Sequence, residues 1–177
     1  MTLSQEFIQS CLTPSDINEH IPKLYDLAKT CNSVTEFGVR DGVSTRAFLF
    51  AGVKLRSYDL YLDPKVSVLF AEVAKGGIDV SYLQGNTLEI EIEPTDLLFI
   101  DSKHTYSQLK AELARHSNKV RRFIVLHDME SFGRGGEDGS SPGLVQAVEE
   151  FIERSKGWKI KEKFSNNNGL WVLESHV

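Results

Sequence analysis

The stretch Asp101-Ser102-Lys103-His104 holds residue types from which an acid–base or metal site can be built. A carboxylate at position 101 and an imidazole three residues later can face one ligand, and His127-Asp128 repeats the pairing after a later apolar run. Carboxylate oxygens and imidazole nitrogens bind divalent cations, and a histidine with a pKa of about 6.5 can accept a proton near neutral pH. These two stretches are therefore candidates for proton transfer and metal binding.

A glycine-containing turn lies earlier in the chain, between a β-prone run and a helix start. Gly38 and Gly42 permit backbone geometry that a Cβ atom would block, and Ser44 is suited to cap the following helix. A strand, glycine turn and helix in this order bring the backbone close to a nucleotide-like ligand. The spacing is Gly-x-x-x-Gly, preceded by Glu36. It lacks the three glycines of the G-x-G-x-x-G dinucleotide turn.

Polar groups also follow the other predicted strands. The strand over 54–59 ends at Asp59, 21 residues after Gly38, where an acid can accept hydrogen bonds from both ribose hydroxyls of a cofactor. The wholly apolar run 97–100 ends at Asp101, and the run 123–126 ends at His127. Ligands of open α/β sheets bind outside the carboxyl ends of the strands. We therefore expect these side chains to meet at one edge.

The order of elements predicts how these groups are positioned. Strands are predicted over 33–37, 54–59, 79–83, 97–100 and 123–126, with helices between most of them, and strands over 158–164 and 170–174 form a hairpin. Asp63-Pro64 predicts a helix start, and Gly76-Gly77 its end. We predict one α/β domain over 1–177, with a mostly parallel sheet, helices on both faces and a C-terminal antiparallel hairpin. Residues 1–32 are predicted to be helical and to pack against the sheet edge through an apolar stripe: Ile17, Ile21, Leu24, Leu27 and Ala28.

The composition excludes several classes of protein. The formal net charge of −5 and the hydrophobic content of 41% are those of a soluble globular protein and argue against binding to a phosphate backbone. No apolar stretch approaches the roughly 20 residues that span a bilayer, and the first residues lack a signal-peptide pattern. Cys11 and Cys31 have no metal-type pairing and are expected to be free thiols. We expect a cytoplasmic location, and the oligomeric state stays open.

The motif Glu36-x-Gly38-x-x-x-Gly42-x-Ser44, followed by Asp59, resembles the cofactor site of class I S-adenosylmethionine (SAM) dependent methyltransferases. The resemblance implies a Rossmann-like methyltransferase fold, with Glu36 near the methionine end and Asp59 on the ribose. It gives Asn86 a contact to the adenine, although an Asn beside a glycine is equally a turn former. The implied cofactor residues are Glu36, Gly38, Gly42, Ser44, Asp59, Asn86 and Asp101.

The Asp101-Ser102-x-His104 stretch resembles a segment of the cephalosporin hydroxylase and macrolide sugar O-methyltransferase group. There, the strand-end Asp and an acidic pair after the next strand hold Mg²⁺, and the His serves as general base in some members. By position, the resemblance implies metal ligands at Asp101, His127 and Asp128, with His104 and Asp101 catalytic. His127 stands where relatives often have Glu, so Glu130 is a substitute oxygen ligand, and a transition metal or no metal stays open.

The predicted function is SAM-dependent methyl transfer to a hydroxyl of a small molecule such as a sugar, assisted by a divalent metal. A nicotinamide-dependent oxidoreductase is one alternative. The missing third glycine and the expected lack of a Tyr-x-x-x-Lys pair count against it. A non-catalytic SAM-binding protein is the other alternative. The long loop from Glu130 to Gly143, which contains five glycines, is predicted to be mobile and to close over the acceptor.

Overall fold

The computed structural model describes residues 2–176, which form a seven-stranded sheet with helices on both faces. The strands lie in the order β3-β2-β1-β4-β5-β7-β6, and β1 to β5 are parallel. They are β1 (Ser33–Phe37), β2 (Lys54–Asp59), β3 (Val80–Gln84), β4 (Thr95–Ile100), β5 (Val120–His127), β6 (Trp158–Phe164) and β7 (Leu170–Ser175). The last two form the predicted antiparallel hairpin, and β7 also pairs antiparallel with β5. The predicted fold class is confirmed.

The helices agree with the sequence signals at most of their ends. They are α1 (Leu3–Leu12), α2 (Ile21–Ala28), α3 (Thr45–Ala51), α4 (Pro64–Lys75), α5 (Tyr106–His116) and α6 (Leu144–Ser155). Asp63 caps α4 by accepting hydrogen bonds from the backbone amides of Lys65 and Val66, as the Asp-Pro signal predicted. Among residues 2–176, none of the helices is long and apolar enough to cross a membrane.

Two apolar cores lie on opposite faces of the sheet. One packs α2, α3 and α4 against alternate side chains of the central strands, including Leu97 and Phe99. The other packs α5 and α6 against the intervening side chains, including Leu98 and Ile100. Successive side chains of a strand point to opposite faces, so a strand covered on both sides must be apolar throughout. All six residues of β4 are buried, which accounts for the apolar character of its last four, Leu97–Ile100.

The N-terminal segment packs differently from the prediction. Its apolar stripe is buried as expected, but the stripe joins the core that contains Phe48, Phe99 and Val125. The segment therefore covers a face of the sheet and not its edge. The stripe predicts which side of α2 is buried but carries no information about the surface that it meets.

Candidate functional site

The glycine turn lies where β1 and β4 diverge, the point at which the strand order reverses direction. Gly38 follows β1 with φ +83°, and a Cβ atom there would lie 2.0 Å from the carbonyl oxygen of Asp101 at the end of β4. Gly42 has φ +70°. Only glycine combines such a conformation with so close an approach. The two predicted glycines thus let the turn and the end of β4 form one continuous surface.

Glu36 supports this turn from behind. Its side chain is fully buried, and its two oxygens accept hydrogen bonds from the hydroxyls of Ser44 (2.7 Å), Thr45 (2.9 and 3.1 Å) and Ser57 (2.6 Å). Burial raises the pKa of Glu36 to about 7, although the three hydroxyls act in the opposite direction. The prediction that Glu36 contacts a cofactor does not fit this position. The Ser44 hydroxyl donates to Glu36 and makes no capping hydrogen bond to α3, so the prediction that its side chain caps this helix is wrong.

Asp59 fastens the outer part of the same turn. Its Oδ2 accepts the backbone amides of Val39 (2.8 Å) and Arg40 (3.0 Å), and its Oδ1 accepts the amide of Tyr61 (3.2 Å). A carboxylate has about four lone-pair directions, so one on Oδ1 stays available to a ligand. Asp59 therefore keeps acceptor capacity for a ribose hydroxyl on Oδ1, and its binding of both hydroxyls stays a prediction.

A groove of about 510 Å³ runs along this edge of the sheet. Its wall includes Gly38, Asp59, Asn86, Thr87, Ser102 and Gln108. Asn86 is held within its own turn, because its side chain accepts from the Leu88 amide and donates to Glu89. This contact pattern is that of the turn-forming alternative. At the glycine-turn end the groove meets a cavity of about 10 Å³ lined by Ile17, Gly38, Ser44 and Asp101.

The four residues singled out for chemistry come together beside this groove. The Nε2 atom of His104 lies 3.1 Å from Asp101 Oδ1 and 3.0 Å from Asp128 Oδ2. The Nδ1 atom of His127 lies 3.3 Å from each of the same two oxygens. Strands β4 and β5 are neighbours in the sheet, so their carboxyl ends deliver both aspartates to one point. Asp101 belongs to both the groove wall and this cluster.

The charges of the cluster are strongly interdependent. Burial would lower the pKa of His104 and of His127, but Asp101 and Asp128 raise it to about 10 in each ring. Burial would raise the pKa of both aspartates, yet hydrogen bonds from the two rings lower it. At neutral pH, the arrangement therefore pairs two imidazolium rings with two carboxylates. In this state, His104 already carries the proton that a general base would have to accept.

The donor set fits a divalent cation. Donor atoms of Asp101, His104 and Asp128 all lie within 4.8 Å of one another. The second carboxylate oxygen of Asp128, Oδ1, is buried without a hydrogen-bond partner among the described residues. Asp128 has φ +59°, a left-handed conformation that costs free energy outside glycine and is concentrated at functional sites. Oxygen and nitrogen donors in this number suit a borderline cation as well as Mg²⁺ with additional waters.

Glu130 is not part of this cluster. Its side chain is exposed and packs beside Gly169, and its backbone amide donates to Asn168. The chain turns away after Asp128 to meet the β6–β7 connection. The prediction that Glu130 supplies a substitute metal ligand is therefore wrong.

The long glycine-containing loop reaches the cluster through residues that the sequence did not single out. Glu137 Oε2 lies 2.9 Å from His104 Nδ1, and the Glu137 amide donates to the His104 carbonyl. The ring of Phe132 stacks on the imidazole of His104, with centroids 5.1 Å apart. Glu137 lies among glycines and small polar residues without any periodicity, so its partner could not be read from the sequence.

The turn between β6 and β7 supports the cluster from the other side. The backbone carbonyl of Asn167 accepts from His127 Nε2 at 3.2 Å, which leaves Nδ1 directed at the aspartates. The Asn167 side chain bonds to the Ser15 carbonyl (2.8 Å) and the Glu19 amide (3.0 Å). One turn thus holds both the N-terminal segment and His127.

The expectation that the chain lacks a Tyr-x-x-x-Lys pair is wrong, because Tyr106 and Lys110 have this spacing. The two residues nevertheless lie outside the groove. The Tyr106 hydroxyl and the Lys110 ammonium group both bind the carboxylate of Glu150 on α6. The pair joins two helices and is not part of the groove wall. It offers no support for nicotinamide chemistry.

Comparison with known proteins identifies the fold. No protein-family model and no curated protein matches the sequence. Solved structures do match over nearly the whole chain. An O-methyltransferase from Bacillus cereus in complex with S-adenosylhomocysteine (SAH) is 15% identical, with a TM-score of 0.66, and 98% of this chain and 90% of that chain are covered.

Two further solved structures extend the likeness. The O-methyltransferase TomG from Streptomyces achromogenes, in complex with SAM, is 16% identical with a TM-score of 0.65, covering 98% of this chain and 88% of that chain. The N-methyltransferase NodS from Bradyrhizobium japonicum, in complex with SAH, is 12% identical with a TM-score of 0.66, covering 100% of both chains. At these identities the likeness identifies the fold alone. The chain has the fold of class I SAM-dependent methyltransferases, as its glycine turn and strand-end acids predicted.

Proposed function

We propose that this protein is a SAM-dependent O-methyltransferase that acts on a hydroxylated small molecule with the help of a divalent cation. The observation that carries the proposal is the position of Asp101. Its carboxylate lies in the wall of the cofactor-sized groove and in the Asp128–His104–His127 cluster at once. His104 likewise belongs to both. A methyl donor in the groove and an acceptor at the cluster would therefore meet beside these two residues.

The groove supplies the contacts that a SAM molecule needs along its length. Asp59 keeps one lone pair for a ribose hydroxyl, and the part of the groove at Gly38 and Asp101 would receive the methionine end. The same solved structures that share the fold hold SAM or SAH. SAM supplies an electrophilic methyl group. Transfer forms a bond between that carbon and the acceptor oxygen, breaks the carbon–sulfur bond and releases the hydroxyl proton.

Asp101 and Asp128 would hold the cation, with His127 as the nitrogen ligand, which leaves His104 Nε2 for proton transfer. A divalent ion in this position lowers the pKa of an acceptor hydroxyl and orients it. The cation would also replace part of the positive charge with which the two imidazolium rings neutralise the carboxylates.

His104 would then be left with Glu137 as its nearest charged partner. The bond from Nδ1 to Glu137 fixes the tautomer that carries its proton on Nδ1, so that Nε2 can accept the acceptor's proton. General base action of this kind typically contributes about 10²- to 10⁴-fold in rate. The base role of His104 thus depends on a cation occupying the two carboxylates.

The test is titration calorimetry with SAM, SAH and NAD(P)H, followed by methyl transfer from labelled SAM to a panel of sugars, phenols and other alcohols. We expect SAH to bind and NAD(P)H not to bind, and transfer to at least one hydroxyl acceptor to depend on added metal. Binding of NAD(P)H without SAH would reverse the assignment in favour of an oxidoreductase. Full transfer in EDTA would remove the metal from the proposal but leave the methyltransferase.

A further inference from the structure

One wall of the groove is backed by a carboxyl group that does not itself line the groove. Glu112 on α5 is fully buried, and its Oε1 accepts three hydrogen bonds. The donors are the hydroxyl of Thr87 (2.5 Å), the hydroxyl of Ser102 (2.7 Å) and the side-chain amide of Gln108 (2.8 Å). All three donors belong to the groove wall. A buried acid costs free energy that an apolar residue would not, so its presence here calls for a function.

These hydrogen bonds fix the polarity of the wall. A carboxylate oxygen only accepts, so both hydroxyl protons must point at Glu112 and away from a ligand. The Gln108 amide nitrogen donates to Glu112 and also to the Thr87 hydroxyl at 3.0 Å. Both of its hydrogens are thereby used, and the Gln108 oxygen is the atom left for other partners. The wall therefore offers acceptors: the oxygens of Gln108, Ser102 and Thr87.

The polarity does not depend on the charge of Glu112. Burial raises the pKa of this carboxyl. A proton would reside on Oε2, which has no hydrogen-bond partner among the described residues, while Oε1 accepts all three bonds. The three wall groups therefore keep the same orientation in both protonation states.

The position of this wall within the groove indicates which part of a ligand it meets. On the proposed function, Gly38 and Asp101 receive the methionine end and Asp59 receives the ribose. The base then occupies the remaining end, where Leu60 and Leu88 provide apolar surface beside the acceptors. We propose that Glu112 is a positioning residue that makes this end selective for a base with a hydrogen-bond donor, the 6-amino group of adenine, over a 6-oxo purine.

The experiment compares SAH with S-inosylhomocysteine, in which a 6-oxo group replaces the 6-amino group. We expect the wild-type protein to bind SAH about 10- to 100-fold more tightly, the usual range for one well-placed hydrogen-bonding contact to a base. Glu112→Gln can present either an oxygen or an amide group to the wall, so the wall groups can reverse. We expect the ratio of the two dissociation constants to fall to within about threefold.

Asp59→Asn serves as the matched control, since it should weaken both ligands equally and leave the ratio unchanged. Gln108→Leu removes one acceptor of the groove wall and keeps Glu112. It should weaken the binding of SAH but not that of S-inosylhomocysteine, and it provides the test if Glu112→Gln does not fold. If the wild-type dissociation constants for the two ligands lie within threefold of each other, or if their ratio is unchanged in Glu112→Gln, the inference about Glu112 is overturned while the proposed function stands. Absence of any SAH binding would instead overturn the proposed function on which it depends.

Discussion

At the residue scale, the buried carboxyl of Glu36 organises the glycine turn through the hydroxyls of Ser44, Thr45 and Ser57. Its pKa of about 7 lies above that of an unfolded glutamate, near 4.3. The folded protein therefore holds a proton that the unfolded chain releases. The resulting stabilisation is fully present below about pH 4.3 and is lost as the pH rises through 7.

The variant Glu36→Gln tests this directly, because its amide does not titrate. We expect the difference in unfolding free energy between wild type and variant to change between about pH 4.3 and 7, with a slope approaching ~1.4 kcal/mol per pH unit. The wild type should lose stability relative to the variant as the pH rises. Urea denaturation at several pH values in this window measures it, and parallel curves for the two proteins would contradict the assignment.

A second residue-scale prediction concerns the metal ligands. Asp128→Asn keeps the shape of the side chain but removes its charge, so we expect divalent-cation affinity to fall at least about 10-fold. Glu130→Gln, two residues later and exposed outside the cluster, is the matched control and should bind the cation like wild type. Calorimetry with Mn²⁺ or Mg²⁺ provides the measurement. Equal affinities in wild type and Asp128→Asn would exclude this aspartate as a ligand.

At the element scale, the loop from Glu130 to Gly143 is seated on the site through Glu137 and Phe132. Whether it opens for an acceptor stays a prediction, and Glu137→Gln tests the contact that would have to break. We expect protease cleavage within the loop to be about 2- to 5-fold faster in this variant, the range for a partly exposed ion pair of up to ~1 kcal/mol. Asp138→Asn, whose carboxylate accepts the Ser140 amide within its own turn, should be cleaved like wild type. Equal cleavage of Glu137→Gln and wild type would mean that the ion pair does not hold the loop.

The helices and strands also indicate which features of the fold and of the site the sequence predicts and which it does not. Strands that are buried on both faces consist of apolar runs such as Leu97–Ile100, so the runs and the turn residues between them locate the strands in the sequence. The acids at the strand ends lie close together because the carboxyl ends of parallel strands share one edge of the sheet. The boundaries of β5 differ, since the exposed Arg121 interrupts its apolar pattern. The sequence does not predict the roles of Glu112 and Glu137, for a different reason. Their partners lie on other elements, and a helix or loop pattern does not distinguish a buried acid from a solvated one.

At the scale of the whole molecule, a ligand that binds only the folded state must stabilise it. SAH at about 100 times its dissociation constant should add ~2.7 kcal/mol, which corresponds to a rise of about 5–11 °C in the unfolding midpoint for a chain of this length. Thermal denaturation with and without SAH measures the shift. Asp59→Asn should show a smaller shift at the same concentration, and NAD⁺ should produce none. A shift with NAD⁺ and none with SAH would contradict the cofactor assignment.

The turn at Asn166–Gly169 has a consequence for the order in which the molecule is made. Asn167 bonds to Ser15 and Glu19, partners that leave the ribosome about 150 residues earlier. β5 ends at His127, 40 residues before Asn167. At about 5–20 residues per second, β1 to β5 are therefore complete for roughly 2 to 8 s before that turn is synthesised. During this interval His127 lacks the carbonyl that orients it. A nascent chain can therefore form its groove before its histidine–aspartate cluster is complete, and His127 is oriented only when synthesis has passed residue 169.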